Sequence, residues 1–310
     1  MMNTSALSPR ITGTLFSVAN KSPLSLKETM ALPQVQLPMG YDAQISALHQ
    51  SSTNSPWRYG QFKERRSAAD TIERTAKTER MSLRLREKEK MANHQEIFAL
   101  YHAHANEEKA VEMSAYMRNL FPYLGLPKPL RKKLQKEFFK TVRKEEGEVD
   151  WAFVGQCWQQ PQREFHYLAL EYLQVLVHHL GPDDIPRLRA LVVDKSWWDS
   201  VDQLDGIIGD IALRYPKVNK TLLKWSLDKN IWLRRIAIDH QLSFKDKTDA
   251  ELLKQIIINN LGQKEFFINK AIGWSLREYS KTNPAWVQSF IEQYGEQMAS
   301  LSVREASKHL

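Results

Sequence analysis

The sequence predicts an all-α protein. Residues 91–310 read as successive helices joined by short polar or proline-containing turns, and no segment alternates apolar and polar residues as a half-buried strand would. Four aromatic residues, Phe165, Trp198, Trp232 and Phe267, recur at spacings of 33, 34 and 35 residues. Because each opens the second helix of a pair, the spacing indicates an α-solenoid of stacked helical hairpins. The tetratricopeptide pattern is missing, so a HEAT- or armadillo-like repeat is the better description.

Helices are predicted where apolar residues recur at helical spacing between cap and turn signals. They cover residues 93–104, 106–120, 127–144, 150–159, 161–180, 183–193, 196–214, 217–228, 230–244, 249–261, 264–281, 284–294 and 302–310. Each hairpin of such a stack buries its inner stripe against the next, so the second helices are expected to line a concave face. In the third helix, Lys132, Lys136, Lys140 and Arg143 line up at helical spacing. This pattern is typical of a solvated face, although it also suits contact with a row of phosphates.

Charge and composition divide the chain at about residue 90. Residues 1–90 contain 14 Lys+Arg and 8 Asp+Glu, whereas the whole chain contains 44 and 36, so residues 91–310 carry a net charge of only +2. The N-terminal segment is first rich in Ser, Thr and Pro and then dense in charge, with too few apolar residues to fold alone. We predict a disordered extension over 1–90, or a misassigned start with translation beginning at Met91 or Met81, followed by a repeat domain over 91–310. The first part also resembles an organelle transit peptide faintly.

Features that the sequence lacks exclude several classes of protein. Cys157 is the single cysteine, which excludes an intramolecular disulfide framework or a multi-cysteine metal site and suits a reducing cytosol. No apolar run approaches the ~20 residues that a membrane span needs. A Gly-rich phosphate loop, a Gly-x-Ser-x-Gly turn and a His-Glu-x-x-His motif are also absent. We therefore expect a cytoplasmic protein without a cofactor, a metal or a membrane partner.

The stretch from Lys195 to Asp202 combines a helix start with reactive side chains. Ser196 is expected to cap the helix, with Asp199 in its first turn. Trp198 and Asp202 are four residues apart, so an indole face and a carboxylate point at the same place. Such a pair can stabilise a cation. The alternative is a Trp at the rim of the core beside a solvated Asp.

The repeat register singles out Asp202 as a departure from the scaffold. Four residues after each recurring aromatic, the chain has Ala169, Asp202, Ile236 and Ala271. Three residues after each aromatic, it has Leu168, Val201, Arg235 and Lys270. Apolar residues are tolerated at these places, so the charged ones indicate function. The alternative is an ion pair inside the fold.

Five blocks within residues 91–310 carry a resemblance to a known family. They are 114–119 (SAYMRN), 195–202 (KSWWDSVD), 230–235 (NIWLRR), 264–268 (KEFFI) and 270–279 (KAIGWSLREY). Through these blocks, which occur in the right order and spacing, the chain resembles the AlkD-type DNA glycosylases that remove alkylated purines. The resemblance does not extend to residues 1–90.

The resemblance implies a HEAT-like solenoid whose concave face binds duplex DNA containing alkylated purines. The sequence shows no obligate protein partner, so we expect a monomer. It implies that Asp202 is the catalytic carboxylate and that Trp198 and Trp274 are aromatic walls. It also implies that Arg235 is the cation at the DNA backbone. The further residues assigned to DNA binding are Tyr116, Lys270, Arg234 and Lys195.

The expected chemistry agrees with these residue types. A purine alkylated at N3 or N7 is cationic and can leave as a neutral base, so a strong general acid is not required. A fixed carboxylate can stabilise the oxocarbenium-like sugar that develops. The competing hypothesis is a non-catalytic solenoid that binds DNA or a peptide on its concave face, with Trp198 and Trp274 as docking aromatics.

Overall fold

The computed structural model describes residues 59–144 and 148–310. Within these ranges the chain forms α-helices and short 3-10 helices and no strand, which confirms the all-α prediction. The α-helices are α1 Tyr59–Ala103, α2 Glu107–Tyr116, α3 Lys128–Leu134, α4 Lys136–Val142, α5 Trp151–Gln159, α6 Arg163–Val175, α7 Ile185–Val193, α8 Trp198–Arg214, α9 Asn219–Trp225, α10 Ile231–Asp239, α11 Ala250–Ile258, α12 Phe266–Ser280, α13 Pro284–Tyr294 and α14 Ser300–Ala306. Residues 1–58, which make up most of the predicted extension, lie outside the described residues. None of the described helices is long and apolar enough to cross a bilayer.

The first described helix passes through the predicted boundary at residue 91. α1 is continuous there, so the helix predicted at 93–104 is the end of a longer one. The described side chains of α1 before this point are mostly exposed, whereas His94, Ile97 and Tyr101 are buried. Among the described side chains of α1, those in the core therefore belong to its last turns.

A chain that starts at Met91 is expected to unfold at nearly the same temperature as the full-length protein. Among the described side chains of the part of α1 that it lacks, none is buried, so we expect little apolar burial to be lost. A chain that starts at Glu107, which also lacks Ile97 and Tyr101, is the matched control and should be much less stable. Thermal unfolding by circular dichroism measures both. A fall of more than about 5 °C for the Met91 chain would contradict the expectation.

The helix predicted at 127–144 is divided into α3 and α4 at Gln135. The Gln135 side chain is buried, where it accepts a hydrogen bond from Tyr101 Oη at 2.7 Å and donates one to Glu171. The backbone departs from regular helical geometry at this residue, with φ −86° and ψ 1°. Elsewhere the predicted helix ends shift by a few residues. The last helix, for example, is α14, and a 3-10 turn follows it.

Five of the described helices form a row of neighbours. α6, α8, α10, α12 and α14 each pack on the next member, and α5, α7, α9, α11 and α13 each pack against at least one member of the row. Phe165, Trp198, Trp232 and Phe267 lie in the first turns of α6, α8, α10 and α12, in the order that the repeat register predicts. Cys157 on α5 is fully buried, as expected for a small apolar residue.

Two glycines allow neighbouring helices of the row to approach closely. A Cβ added at Gly209 would lie 2.1 Å from the carbonyl oxygen of His240, and one at Gly273 would lie 2.6 Å from the Cβ of Glu305. A larger residue at either position would therefore push α8 from the end of α10, or α12 from α14. This close approach lets side chains on adjacent helices reach each other as ion pairs.

The aromatic cluster between the helices uses Trp197 in place of Trp198. The ring centroid of Trp197 lies 5.7 Å from that of Trp232 and 5.1 Å from that of Phe267. Trp198 lies instead 6.3 Å from Tyr116 on α2, edge to face. The two adjacent indoles thus have different neighbours, and Trp198 is the one that faces α2.

Candidate active site

Helix α8 begins at Trp198, and its N-cap is Trp197, one residue after the predicted cap Ser196. Trp197 precedes it with extended backbone, at φ −158° and ψ 164°. The Ser196 hydroxyl donates to the carbonyl oxygen of Val192 at 2.6 Å and does not cap α8. The predicted Ser196 cap is therefore wrong, because the hydroxyl bonds to the end of the preceding helix. Asp199 remains in the first turn of α8.

Asp202 forms a two-bond ion pair with Arg235 on the neighbouring helix α10. Arg235 Nε and Nη2 donate to Asp202 Oδ1 and Oδ2 at 2.8 and 3.0 Å, and Nη1 donates to the carbonyl oxygen of Phe267 at 2.7 Å. Asn230 caps α10 by accepting from the backbone N–H of Trp232 at 2.9 Å, which fixes where the helix starts. The Arg235 side chain is only 2% exposed. The structure thus places Arg235 as the buried partner of Asp202, and its predicted contact with the DNA backbone stays a prediction.

Two further carboxyls lie around the same guanidinium. Asp239 is fully buried with a carboxylate oxygen 3.7 Å from Arg235 Nη2, and burial raises its pKa to about 7 against the opposing charge of Arg235. Burial and the charges of Asp239 and Asp202 raise the pKa of Asp205 well above its usual value.

Asp202 is the member of this cluster that solvent reaches, since 23% of its side chain is exposed. Burial also raises its pKa, but the hydrogen bonds and charge of Arg235 oppose the shift. As the pH falls from neutral, Asp239 and Asp205 therefore take up protons before Asp202 does. Asp202 is the carboxyl of the three that best keeps its negative charge.

The raised pKa of Asp239 gives the fold a pH-dependent stability. Between about pH 4 and pH 7 the folded protein keeps a proton that the unfolded chain releases, so stability falls as the pH rises through this window, by up to about 1.4 kcal/mol per pH unit. The Asp239→Asn variant should show a flatter dependence of unfolding free energy on pH. Denaturant titrations across this range measure it. Asp246→Asn, at an exposed site, is the matched control and should keep the wild-type slope; equal slopes in all three proteins would contradict the assignment.

Trp274 on α12 lies among cations. The ring centroid is 5.3 Å from Arg235 Cζ, 5.3 Å from Lys270 Nζ and 6.0 Å from Arg277 Cζ. Glu305 on α14 pairs with Lys270 at 3.0 Å and with Arg277 at 2.9 Å. Asp202 and Trp274 are therefore brought together through Arg235. Lys270, which is predicted to bind DNA, is paired with a carboxylate that the sequence reasoning did not identify.

Trp198 and Tyr116 stand at a cleft between α2, α3, α6 and α8. The cleft has a volume of about 650 Å³. Its lining residues are Glu112, Met113, Tyr116, Met117, Tyr123, Lys128, Arg131, Tyr167, Glu171, Trp198, Asp199 and Gln203. Tyr116 is 73% exposed there. The predicted site residues thus form two neighbouring groups, Trp198 with Tyr116 and Asp202 with Arg235 and Trp274, joined by one turn of α8.

Lys195 and Arg234, two of the predicted DNA-binding residues, make hydrogen bonds within the fold. Lys195 Nζ donates to the carbonyl oxygen of Gln160 at 3.1 Å, and burial lowers the pKa of Lys195. Arg234 Nε donates to Asn260 Oδ1 at 3.0 Å, and its Nη2 donates to Gln263. Both cations are half-buried, so contact with a phosphate requires these bonds to open.

The sequence reasoning missed a buried network beneath Trp198. Arg163, which is fully buried, donates from Nε and Nη2 to Asp199 at 2.9 and 2.7 Å. Tyr167 donates to the same carboxylate at 2.6 Å, and its hydroxyl lies 3.0 Å from that of Tyr123. Burial alone would raise the pKa of Asp199, but hydrogen bonds and charge from Arg163 outweigh it, so the pKa lies below its usual value. The 36-residue separation of Arg163 and Asp199, close to the repeat length, is the signal that could have identified this pair.

Comparison with known proteins assigns the repeat region to a family. A family model described as "DNA alkylation repair enzyme" matches residues 97–310. The chain belongs to the DNA alkylation repair enzyme family. A solved structure titled "Predicted DNA alkylation repair enzyme from Enterococcus faecalis" is 36% identical, with a TM-score of 0.62, and the match covers 66% of this chain and 96% of that chain. No curated protein matches the sequence.

Membership of the DNA alkylation repair enzyme family implies a DNA substrate. The matched region contains both groups of candidate site residues, from Tyr116 on α2 to Trp274 on α12. It also contains the buried partners Arg163 and Glu305. Residues 1–96 lie outside the match.

Proposed function

We propose that this protein is a monofunctional DNA glycosylase that hydrolyses the N-glycosidic bond of cationic N3- or N7-alkylated purines in duplex DNA. The observation that carries the proposal is Asp202, a partly exposed carboxylate at a position where the neighbouring repeats have fully buried apolar residues. Its placement next to Trp198 on α8, in a member of the DNA alkylation repair enzyme family, supports the same conclusion.

The row of helices supports a HEAT-like solenoid as the scaffold of this enzyme. α8, α10 and α12, which carry Asp202, Arg235 and Trp274, pack side by side in one row with α6 and α14, as the second helices of stacked hairpins do. In this proposal their common surface is the concave face that holds the duplex. Residues 91–310 form the catalytic domain, and residues 1–90 are an extension that catalysis does not need.

Asp202 acts on the sugar as the glycosidic bond breaks. An alkylated purine departs with the bonding electron pair and becomes neutral, so positive charge moves to the deoxyribose ring. A carboxylate fixed near this ring stabilises the charge as it develops and orients the water that attacks the sugar carbon. The group is most effective if its position is set before the reaction begins, because it then requires no reorganisation.

Arg235 sets the position of Asp202 in this mechanism. The two hydrogen bonds that Arg235 donates at 2.8 and 3.0 Å hold the Asp202 carboxylate in one orientation. A third bond, from Arg235 to the carbonyl oxygen of Phe267, fixes the guanidinium itself. A single guanidinium among three carboxyls does not neutralise the cluster when more than one carboxyl is ionised. The role proposed for Arg235 is therefore to orient Asp202, which replaces the backbone contact expected from the resemblance.

The two indoles contribute different contacts. Trp198 faces the cleft and has Tyr116 at its edge, so its ring can pack on the cationic nucleotide, with cation–π attraction of about 0.5–2 kcal/mol. Trp274 has Arg235, Lys270 and Arg277 within about 6 Å of its ring, and each of these cations is paired with a carboxylate. A phosphate beside the lesion has to compete with these carboxylates for Lys270 and Arg277. Both remain walls of the proposed site.

The decisive experiment is base release from methylated DNA. Duplex DNA treated with dimethyl sulfate is incubated with the protein, and the released bases are separated by chromatography. Free 7-methylguanine and 3-methyladenine should appear, with strand breaks only after alkali treatment of the abasic sites. DNA incubated without protein corrects for spontaneous loss. Binding without base release would instead favour the non-catalytic solenoid.

A further inference from the structure

A cationic surface on α3 and α4 lies outside the proposed catalytic residues. It consists of six exposed side chains, Lys132, Lys133, Lys136, Lys140, Arg143 and Lys144, which we call the basic surface. Among the described residues, the carboxylate that pairs with this surface is Glu137, 3.3 Å from Lys140 and itself exposed. Such an exposed pair contributes little, so the charge of the surface is largely uncompensated.

The fold presents these cations on one side of α3 and α4. Arg131, Gln135, Phe139 and Val142 recur at helical spacing and are all buried. Lys132, Lys136, Lys140 and Arg143 each follow one of them by one residue, which turns them about 100° away from the core. The division of the helix at Gln135 leaves this pattern intact. The basic surface is therefore about 16 Å long at 1.5 Å per residue.

The distribution of charge sets this segment apart from the rest of the domain. Residues 128–144 contain eight Lys+Arg and one Glu. Residues 91–310 as a whole carry a net charge of +2, so the domain without this segment has a net charge of −5. A polyanion bound to the domain would meet its strongest attraction at α3 and α4.

The basic surface also adjoins the proposed site. Lys128, at the start of α3, lines the same cleft as Trp198 and Tyr116. Lys128 is exposed and precedes Lys132 by four residues, so the two side chains lie on the same face of α3. The cations thus continue from the edge of the cleft along α3 and α4, as a phosphate backbone leaving the site would require.

We infer that the basic surface is a second DNA-binding surface, which holds the phosphate backbone of the duplex beside the lesion without reading its sequence. Its length matches about five base-pair steps of 3.4 Å. This inference rests on the proposed function for the position of the lesion at Trp198. The surface holds the flanking duplex while Asp202 acts on the sugar.

The test measures binding to an undamaged duplex of about 30 base pairs as a function of salt. The Lys132→Gln, Lys136→Gln, Lys140→Gln triple variant should lower the slope of log K against log salt by about 2–3, since each phosphate contact contributes about 0.9. The matched control replaces Lys217, Lys220 and Lys224 by Gln, which removes the same charge from exposed positions at similar spacing. Its slope should stay within about 0.5 of wild type.

The inference would be overturned if the slope of log K against log salt changed equally in both triple variants, or changed in neither. A thermal melt of each variant checks that these exposed substitutions leave the fold intact. Base release by the wild type from methylated DNA is measured alongside. If the slope falls as expected but no base is released, the proposed function is wrong, and the inference that the basic surface binds DNA is supported. If base is released and the slope does not change, the inference about the basic surface is wrong, and the proposed function is supported.

Discussion

Replacing Asp202 by Asn is expected to lower the rate of base release by about 10²–10³ while the protein stays folded. The magnitude is that of losing one preorganised electrostatic group, because the carboxylate matters most when the sugar becomes cationic. The fold should tolerate the change. Arg235 keeps its bond to the carbonyl oxygen of Phe267 and its proximity to Asp239, and the cluster loses one of three repelling carboxyls.

The measurement is single-turnover release of 7-methylguanine at saturating protein, with a thermal melt of each variant. Asp210→Asn is the matched control, because Asp210 lies on the same helix and pairs with Arg214 at 2.7 Å, away from the proposed site. It should keep the wild-type rate. Affinity for DNA should hold or rise slightly in the Asp202 variant, since an anion near phosphates is unfavourable before the reaction. A near-normal rate in well-folded Asp202→Asn protein would contradict the mechanism.

The all-α class could be predicted from the sequence because helical periodicity is a local property. The recurring aromatics fall in the first turns of α6, α8, α10 and α12, and three of the four residues in the register of Asp202 are fully buried. In a repeat protein, equivalent positions of the repeats can be compared with one another within one chain. The exceptional residue Asp202 could therefore be found from a single sequence.

The partners of the charged residues could not be predicted in the same way. The sequence placed Arg235 near Asp202 and left two interpretations open, a surface cation or an internal ion pair. The choice depends on how closely α8 approaches α10, which Gly209 permits by lying against the carbonyl oxygen of His240. Distances between helices depend on packing along their whole length, and periodicity within one helix does not contain this information.

The register does contain a signal for the remaining members of the cluster. Seven residues after each recurring aromatic, the chain has Tyr172, Asp205, Asp239 and Trp274. Both of the buried carboxyls with raised pKa and one of the proposed aromatic walls occupy this single position. Extending the comparison of repeats from the fourth to the seventh residue would have placed them together with Asp202.

Replacing Arg235 by Met is expected to destabilise the protein by about 3–5 kcal/mol, the range for breaking a buried ion pair from one side. The change leaves Asp239 fully buried without its cation and Asp202 without its two hydrogen bonds. Adding Asp239→Asn to the Arg235→Met variant should restore part of the lost free energy of unfolding. Arg189→Met, which breaks a partly exposed pair with Asp228, is the control and should change stability by about 1 kcal/mol or less. Denaturant unfolding measures all four proteins.

The same Arg235→Met variant separates the two possible roles of the guanidinium. If Arg235 orients Asp202, base release should slow in the variant. The acid limb of the pH–rate profile should also move to higher pH, because the wild-type Arg235 opposes the burial that raises the pKa of Asp202. The slope of log K against log salt for DNA binding should stay unchanged, since the side chain is only 2% exposed. If the slope instead falls by about one, Arg235 neutralises a phosphate in the complex. It would then have to leave Asp202 when DNA binds, and the orienting role would be wrong.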